Sequence, residues 1–162
     1  MPIISTDIQY RLSGGAANSN ANASLGGAKS SVAVPSGLFD DVTSPESAAG
    51  DVEYRCIYVH NNHGSLALQN AVIWISTNTN GNRVALGVGS SAVNGTEQTV
   101  ANEDTAPASV AFSQPGSKGA GLALGNIPAG QHRAVWVRRT IAASSSASND
   151  AYQLRVEGDT AA

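Results

Sequence analysis

Asn126-Ile127-Pro128-Ala129-Gly130-Gln131-His132-Arg133-Ala134-Val135-Trp136-Val137-Arg138-Arg139-Thr140-Ile141 is the stretch from which the fold can be read. Pro128 presets φ and Gly130 tolerates φ > 0, so Pro-Ala-Gly predicts a turn, and a run rich in β-branched and aromatic residues follows it. Period-two alternation sends Arg133, Val135, Val137 and Arg139 to one face and His132, Ala134, Trp136, Arg138 and Thr140 to the other. No other segment joins so clear a start signal to so long a run. It is expected to be a central strand, with Trp136 sharing the sandwich core with Trp74.

Other strands are expected on either side of it. Asp7 to Leu12 alternates Ile8, Tyr10 and Leu12 against Asp7, Gln9 and Arg11. Val52 to His60 sets Tyr54, Cys56, Tyr58 and His60 against Glu53, Arg55, Ile57 and Val59. Leu66-Ala67-Leu68 leads into Ala71 to Ser76, a nearly continuous apolar run that predicts burial on both faces. Asn80-Gly81 is a hairpin signal, so Arg83 to Val88 is expected to return as the partner of that run. Thr99-Val100, Ser109 to Phe112, Gly121 to Leu124 and Ala151 to Glu157 complete about eight to ten short strands, with no convincing helix and no fixed repeat. The pattern predicts an all-β fold: one antiparallel β-sandwich domain over residues 1–162, jelly-roll or immunoglobulin-like Greek key.

From Ser13 to Ser31 the chain is almost wholly Gly, Ala, Asn and Ser, with Leu25 the one large apolar residue. Residues 13–37 are therefore expected to form an extended N-terminal arm, held by the domain's own surface or by another subunit. Deleting Ser13 to Ser31 is expected to leave a folded domain. Leu38 to Val42 is a short apolar knot that anchors the arm's end.

A chain of 162 residues buries roughly 70% of its unfolded surface in one core. Charged residues are only 13% of it and aromatics 5%. A free monomer keeps about a quarter of its residues charged, so this composition favours a surface covered by neighbours. A net charge of −3 and a pI near 5.5 argue against a nucleic-acid partner. Arg133, Arg138 and Arg139 form the one basic cluster, and alternation disperses it. Cys56, the single cysteine, excludes an intrachain disulfide and fits folding in a reducing cytosol. There is no apolar run of about 18 residues and no signal-peptide pattern, so a soluble protein with no membrane partner is expected.

Sites for chemistry are weak on this reading. His60 and His63 lack further metal partners, and Asn78, Asn80 and Asn82 lack the carboxylates of a calcium loop. The pairs Asp40-Asp41 and Glu103-Asp104 point apart in extended chain and read as solvated. Gly116 to Gly121 lacks the strand-loop-helix context of a phosphate loop, and no serine sits in a nucleophile elbow. Cys56 reads as a small buried hydrophobe. No catalytic residue, cofactor or metal is expected.

Arg11 to Gly15, Ser24 to Ser31, Leu38 to Val42, Gly50 to Asn61, Ile127 to Arg139 and Leu154 to Asp159 together resemble a family of small tailed-bacteriophage virion structural proteins. The resemblance spans nearly the whole chain and implies a particle component, not an enzyme, located in the virion and assembled in the host bacterial cytoplasm. A capsid decoration or cement protein is the first expectation, with the major capsid protein or other virion proteins as partners and a symmetric homo-oligomer as the state. A tail, baseplate or fibre-attachment component is the second, and a carbohydrate-binding module the third. Arg11, Leu25, Lys29, Arg133 and Arg139 are the expected interface residues.

Overall fold

Alternation in the opening stretch becomes strand β6 (His132–Ile141). The computed structural model describes residues 1–79, 83–146 and 148–160. Its other strands are β1 (Ile8–Leu12), β2 (Asp51–Asn61), β3 (Leu68–Asn78), β4 (Val84–Val88), β5 (Leu122–Ile127) and β7 (Tyr152–Thr160). They form two antiparallel sheets, ordered β1-β2-β6-β4 and β5-β3-β7. β6 is central, flanked by β2 and β4, with Cys56 opposite Trp136 and Leu86 opposite Val137. The turn before it forms as its residues dictate: Gln131 N donates to Pro128 O at 3.0 Å, and Gly130 has φ 72°.

The strands pack as an all-β sandwich. Ile57 and Val59 of β2, Leu86 of β4 and Val135 and Val137 of β6 meet Ile73 and Ile75 of β3, Leu124 and Ile127 of β5 and Val156 of β7 in one core cluster. Asn61 sits at the sheet-to-sheet corner, fully buried, with Nδ2 donating to Leu66 O and Ile127 O at 2.9 Å each. A buried amide is tolerated there because both donors are used.

Several expectations are corrected. β4 does not return beside β3: it pairs with β6 in the other sheet, because both sides of β3 are occupied by β5 and β7. The Asn80-Gly81-Asn82 signal lies outside the described residues. Thr99-Val100 and Ser109 to Phe112 are not strands. A short helix, α1 (Ser44–Ala49), does exist. Its start is a capping box, with Thr43 N donating to Glu46 Oε2 at 2.6 Å and Thr43 Oγ1 accepting from Glu46 N, and Pro45 stands in the first turn.

The largest correction concerns residues 13–37. Residues 13–29 fold back over the outer face of the four-stranded sheet and residues 30–34 run antiparallel beside β1, so the segment is held by the domain's own surface and does not extend from it. Strand β1 covers only half of β2's edge, and beyond Leu12 the edge is completed by loops: Cys56 N donates to Ser24 O and Tyr54 N to Glu103 O, each at 2.7 Å. Ser13 and Ser24 hydroxyls both donate to Cys56 O, at 2.8 and 2.7 Å. Small polar residues suit this segment because it lies against backbone, not because it is free. Residues 89–112 supply the rest of the roof, through Glu97, Val100, Val110 and Phe112. Gly27 N donates to Glu97 O and Val100 N to Leu25 O, and Tyr58 Oη to Gly27 O. The fit is close enough to require glycine: a Cβ at Gly26 would lie 1.8 Å from Gln98 O, and one at Gly87 2.4 Å from Val110 Cγ1.

Under the roof lies a second apolar cluster of Cys56, Tyr58, Val100, Ala134 and Trp136. Trp136 is therefore fully buried, but on the face away from the inter-sheet core. Trp74 lies on the outer face of the other sheet, beneath Arg155, whose guanidinium is 5.9 Å from its ring. The two tryptophans do not share a core.

Candidate functional site

Glu53 and Arg55 share a face of β2 with Ile57 and Val59, so alternation carries two charges into the end of the sandwich. Both are essentially fully buried. Burial of such groups is tolerable only with partners, and the partners come from four other segments. Arg139 of β6 donates through Nε to Glu53 Oε2 and through Nη1 to Asp40 O at 2.7 Å. Its Nη2 lies 3.5 Å from Asp40 Oδ1. Arg55 Nη2 pairs with Glu103 Oε2 from the roof, and donates to Asn22 Oδ1 at 3.2 Å. The Phe39 ring lies under both guanidiniums, 5.4 Å from that of Arg55 and 4.8 Å from that of Arg139.

Asp40, Glu53 and Glu103 place carboxylate oxygens within 4.8 Å of one another, the one such group of possible metal ligands among the described residues. Two arginines already pair with it and offset two of its three negative charges. Burial pushes the Glu53 carboxyl up, and the Arg139 hydrogen bond pulls it back. The arrangement acts as a clamp, tying Leu38–Asp41 and the roof to β2 and β6. Beside it opens a cavity of about 840 Å³, lined by Phe39, Asp40, Arg83, Arg139, Asp150 and Tyr152 among others. Arg83 closes one wall through an ion pair to Asp150 at 2.6 Å. Charge-assisted hydrogen bonding is the chemistry this cavity offers.

The five expected interface residues do not form one patch. Arg11 and Lys29 come together at the β1 side of the roof, where Arg11 donates to Ser31 O and to Gln9 Oε1. Burial first and Arg11 second lower the Lys29 pKa. Leu25 is half-buried against the Cys56–Trp136 cluster. Arg133 is held by carbonyls at the β4 side, with Nη1 on Ser91 O and Nη2 on Gly89 O at 3.3 Å. Arg139 belongs to the clamp. His60 and His63 serve the corner turn: His60 Nδ1 is 3.2 Å from Gln131 O, and His63 Nδ1 accepts from Ser65 N and Leu66 N. Cys56 is fully buried, and burial pushes its thiol up.

Glu97 was missed by sequence reasoning and organises the roof. Its buried carboxylate accepts from Ser90 N, Ser90 Oγ and Ser91 N at 3.2, 2.9 and 2.8 Å, and from Trp136 Nε1 at 3.4 Å. Burial alone would raise its pKa, but the bonds from Ser91, Ser90 and Trp136 outweigh it and hold it at about 2. A depressed pKa contributes stability above the unfolded-state value, lost as pH falls toward the folded one. Glu97 is thus expected to contribute about 3 kcal/mol at neutral pH, lost between about pH 4.5 and 2. Urea titrations of wild type and Glu97→Gln across that range check this: the gap between them is expected to close with acid, and a pH-independent gap would contradict it.

Comparison with protein-family models, curated proteins and solved structures yields no match to this chain.

Proposed function

We propose that this chain is a noncatalytic virion structural protein of a tailed bacteriophage, acting as a capsid decoration or cement protein that binds the major capsid subunits at symmetry-related positions. The observation that carries the reading is the roof. Its exposed positions run through Ala16, Ala17, Ser19, Asn20, Ala28, Ser31, Ala33, Ala92, Asn94, Thr96, Ala101, Asn102, Ala106, Ala108 and Ser109, with few charges among them. Such a surface presents main chain and short side chains over a wide footprint, which suits docking on a repeated lattice of subunits. Contact through this folded roof replaces contact through an extended arm. The family resemblance of the segments from Arg11 to Asp159 points the same way.

A tail, baseplate or fibre-attachment component would use the same surface at one end of the particle. A carbohydrate-binding module is disfavoured, since Trp136 is sealed and Trp74 is only 6% exposed, leaving neither tryptophan as a platform. On topology, the split of the seven strands among the described residues into four and three supports the immunoglobulin-like reading over an eight-stranded jelly roll, while the order β5-β3-β7 departs from the immunoglobulin order.

Immunogold labelling of intact particles tests the reading. Label spread over the head is expected. Label confined to one end would move the protein to the tail, and particles that carry no label would exclude it from the virion.

A further inference from the structure

Three of the four sheet edges are blunted. Residues 30–34 cover β1, with Leu12 N donating to Val32 O and Val34 N to Tyr10 O. Ser113 exchanges both backbone bonds with Leu86 on β4. β5 is short and is broken by Gly125 at φ 78°. β7 differs: over Tyr152–Thr160 its only backbone partner among the described residues is β3, and it contains neither Pro nor Lys. An edge of this length is a template for another strand.

We infer that β7 pairs antiparallel with β7 of a second copy of this chain, about a two-fold axis at Val156. The charge pattern selects both the occupant and the register. With Val156 opposite itself, Arg155 stands opposite Glu157 of the second copy, twice by symmetry, and Gln153 stands opposite its Asp159. Arg155 and Glu157 share the outer face of the strand, with side chains 63% and 35% exposed and 3.1 Å apart within one chain. Lys118 lies 3.0 Å from Glu157. A cavity of about 390 Å³ flanks the edge, lined by Ile3, Ile4, Ile8, Tyr10, Leu154 and Val156 among others, and Ile4 on it is 54% exposed. Pairing would bury this apolar surface along with the strand edge. The inference gives a geometry to the symmetric homo-oligomer that the family resemblance implies but rests on the strand alone, so it is tested without particles.

Sedimentation velocity of the full chain, with circular dichroism to verify folding, is the test. Wild type is expected to sediment as a dimer. Arg155→Glu and Glu157→Arg, each placing like charges opposite one another twice, are expected to weaken self-association at least about tenfold. An equimolar mixture of these two variants restores opposite charges at every pair, as does the Arg155→Glu/Glu157→Arg double variant, and both are expected to dimerise again. Wild type that stays monomeric would overturn the proposal. So would single variants that remain dimers, or a mixture that remains monomeric. Failure here leaves the virion reading standing, and failed labelling of particles leaves the dimer standing.

Discussion

Removing residues 13–31 is expected to abolish cooperative folding. The deletion takes away the two hydroxyls on Cys56 O, the Ser24 carbonyl that accepts from Cys56 N, and the Gly27 carbonyl that accepts from Tyr58 Oη. It also strips Leu25 from the cluster around Trp136 and separates Val100 from its acceptor, so the second half of the roof loses its seat. Apolar area and backbone pairing are lost together over part of the outer face of the four-stranded sheet. That exceeds about 5 kcal/mol, the lower end of a domain's entire stability. Near-ultraviolet circular dichroism during heating checks it, with strong binding of an apolar dye as the companion signal. A truncated chain that melts like wild type would restore the dispensable arm that composition suggested.

Trp136→Ala is expected to cost about 3–5 kcal/mol. Trp136 is fully buried between Cys56, Tyr58 and the roof, and its indole N–H donates to Glu97. The variant opens a cavity at the centre of the second cluster and removes one of the bonds that hold the Glu97 carboxylate. Trp74→Ala provides the contrast. Its ring lies on an outer face under an exposed arginine, so a smaller loss is expected. Urea denaturation of both variants measures the difference. Equal losses would mean that the two tryptophans occupy equivalent environments.

How far the sequence was legible follows from which forces are local. The Pro128-Ala129-Gly130 turn and the alternation of β6 depend on neighbours along the chain, and both form as read. Alternation separates Val135 and Val137 from Ala134 and Trp136 but does not say which set faces the other sheet. Here both sets are covered, one by a sheet and one by loops. The hairpin expected after β3 fails for a similar reason: a turn signal fixes a reversal, while sheet membership depends on long-range competition for β3's two edges.

The low-complexity segment misleads because its composition describes a free chain. Its serines and glycines are instead used against the backbone of β2 and the 97–99 loop. The clamp is assembled from Asp40, Glu53, Arg55, Glu103 and Arg139, which no spacing rule connects. One clue was present: a Glu and an Arg on the same strand face as Ile57 and Val59 require buried partners of opposite charge. The helix at Ser44 had its own clue in Thr43-Ser44-Pro45-Glu46.

Quantitative mass spectrometry of purified particles, referenced to the major shell subunit, tests the virion proposal most directly. A decoration protein predicts copies on the scale of the shell subunit itself. A handful of copies, or none, would contradict it.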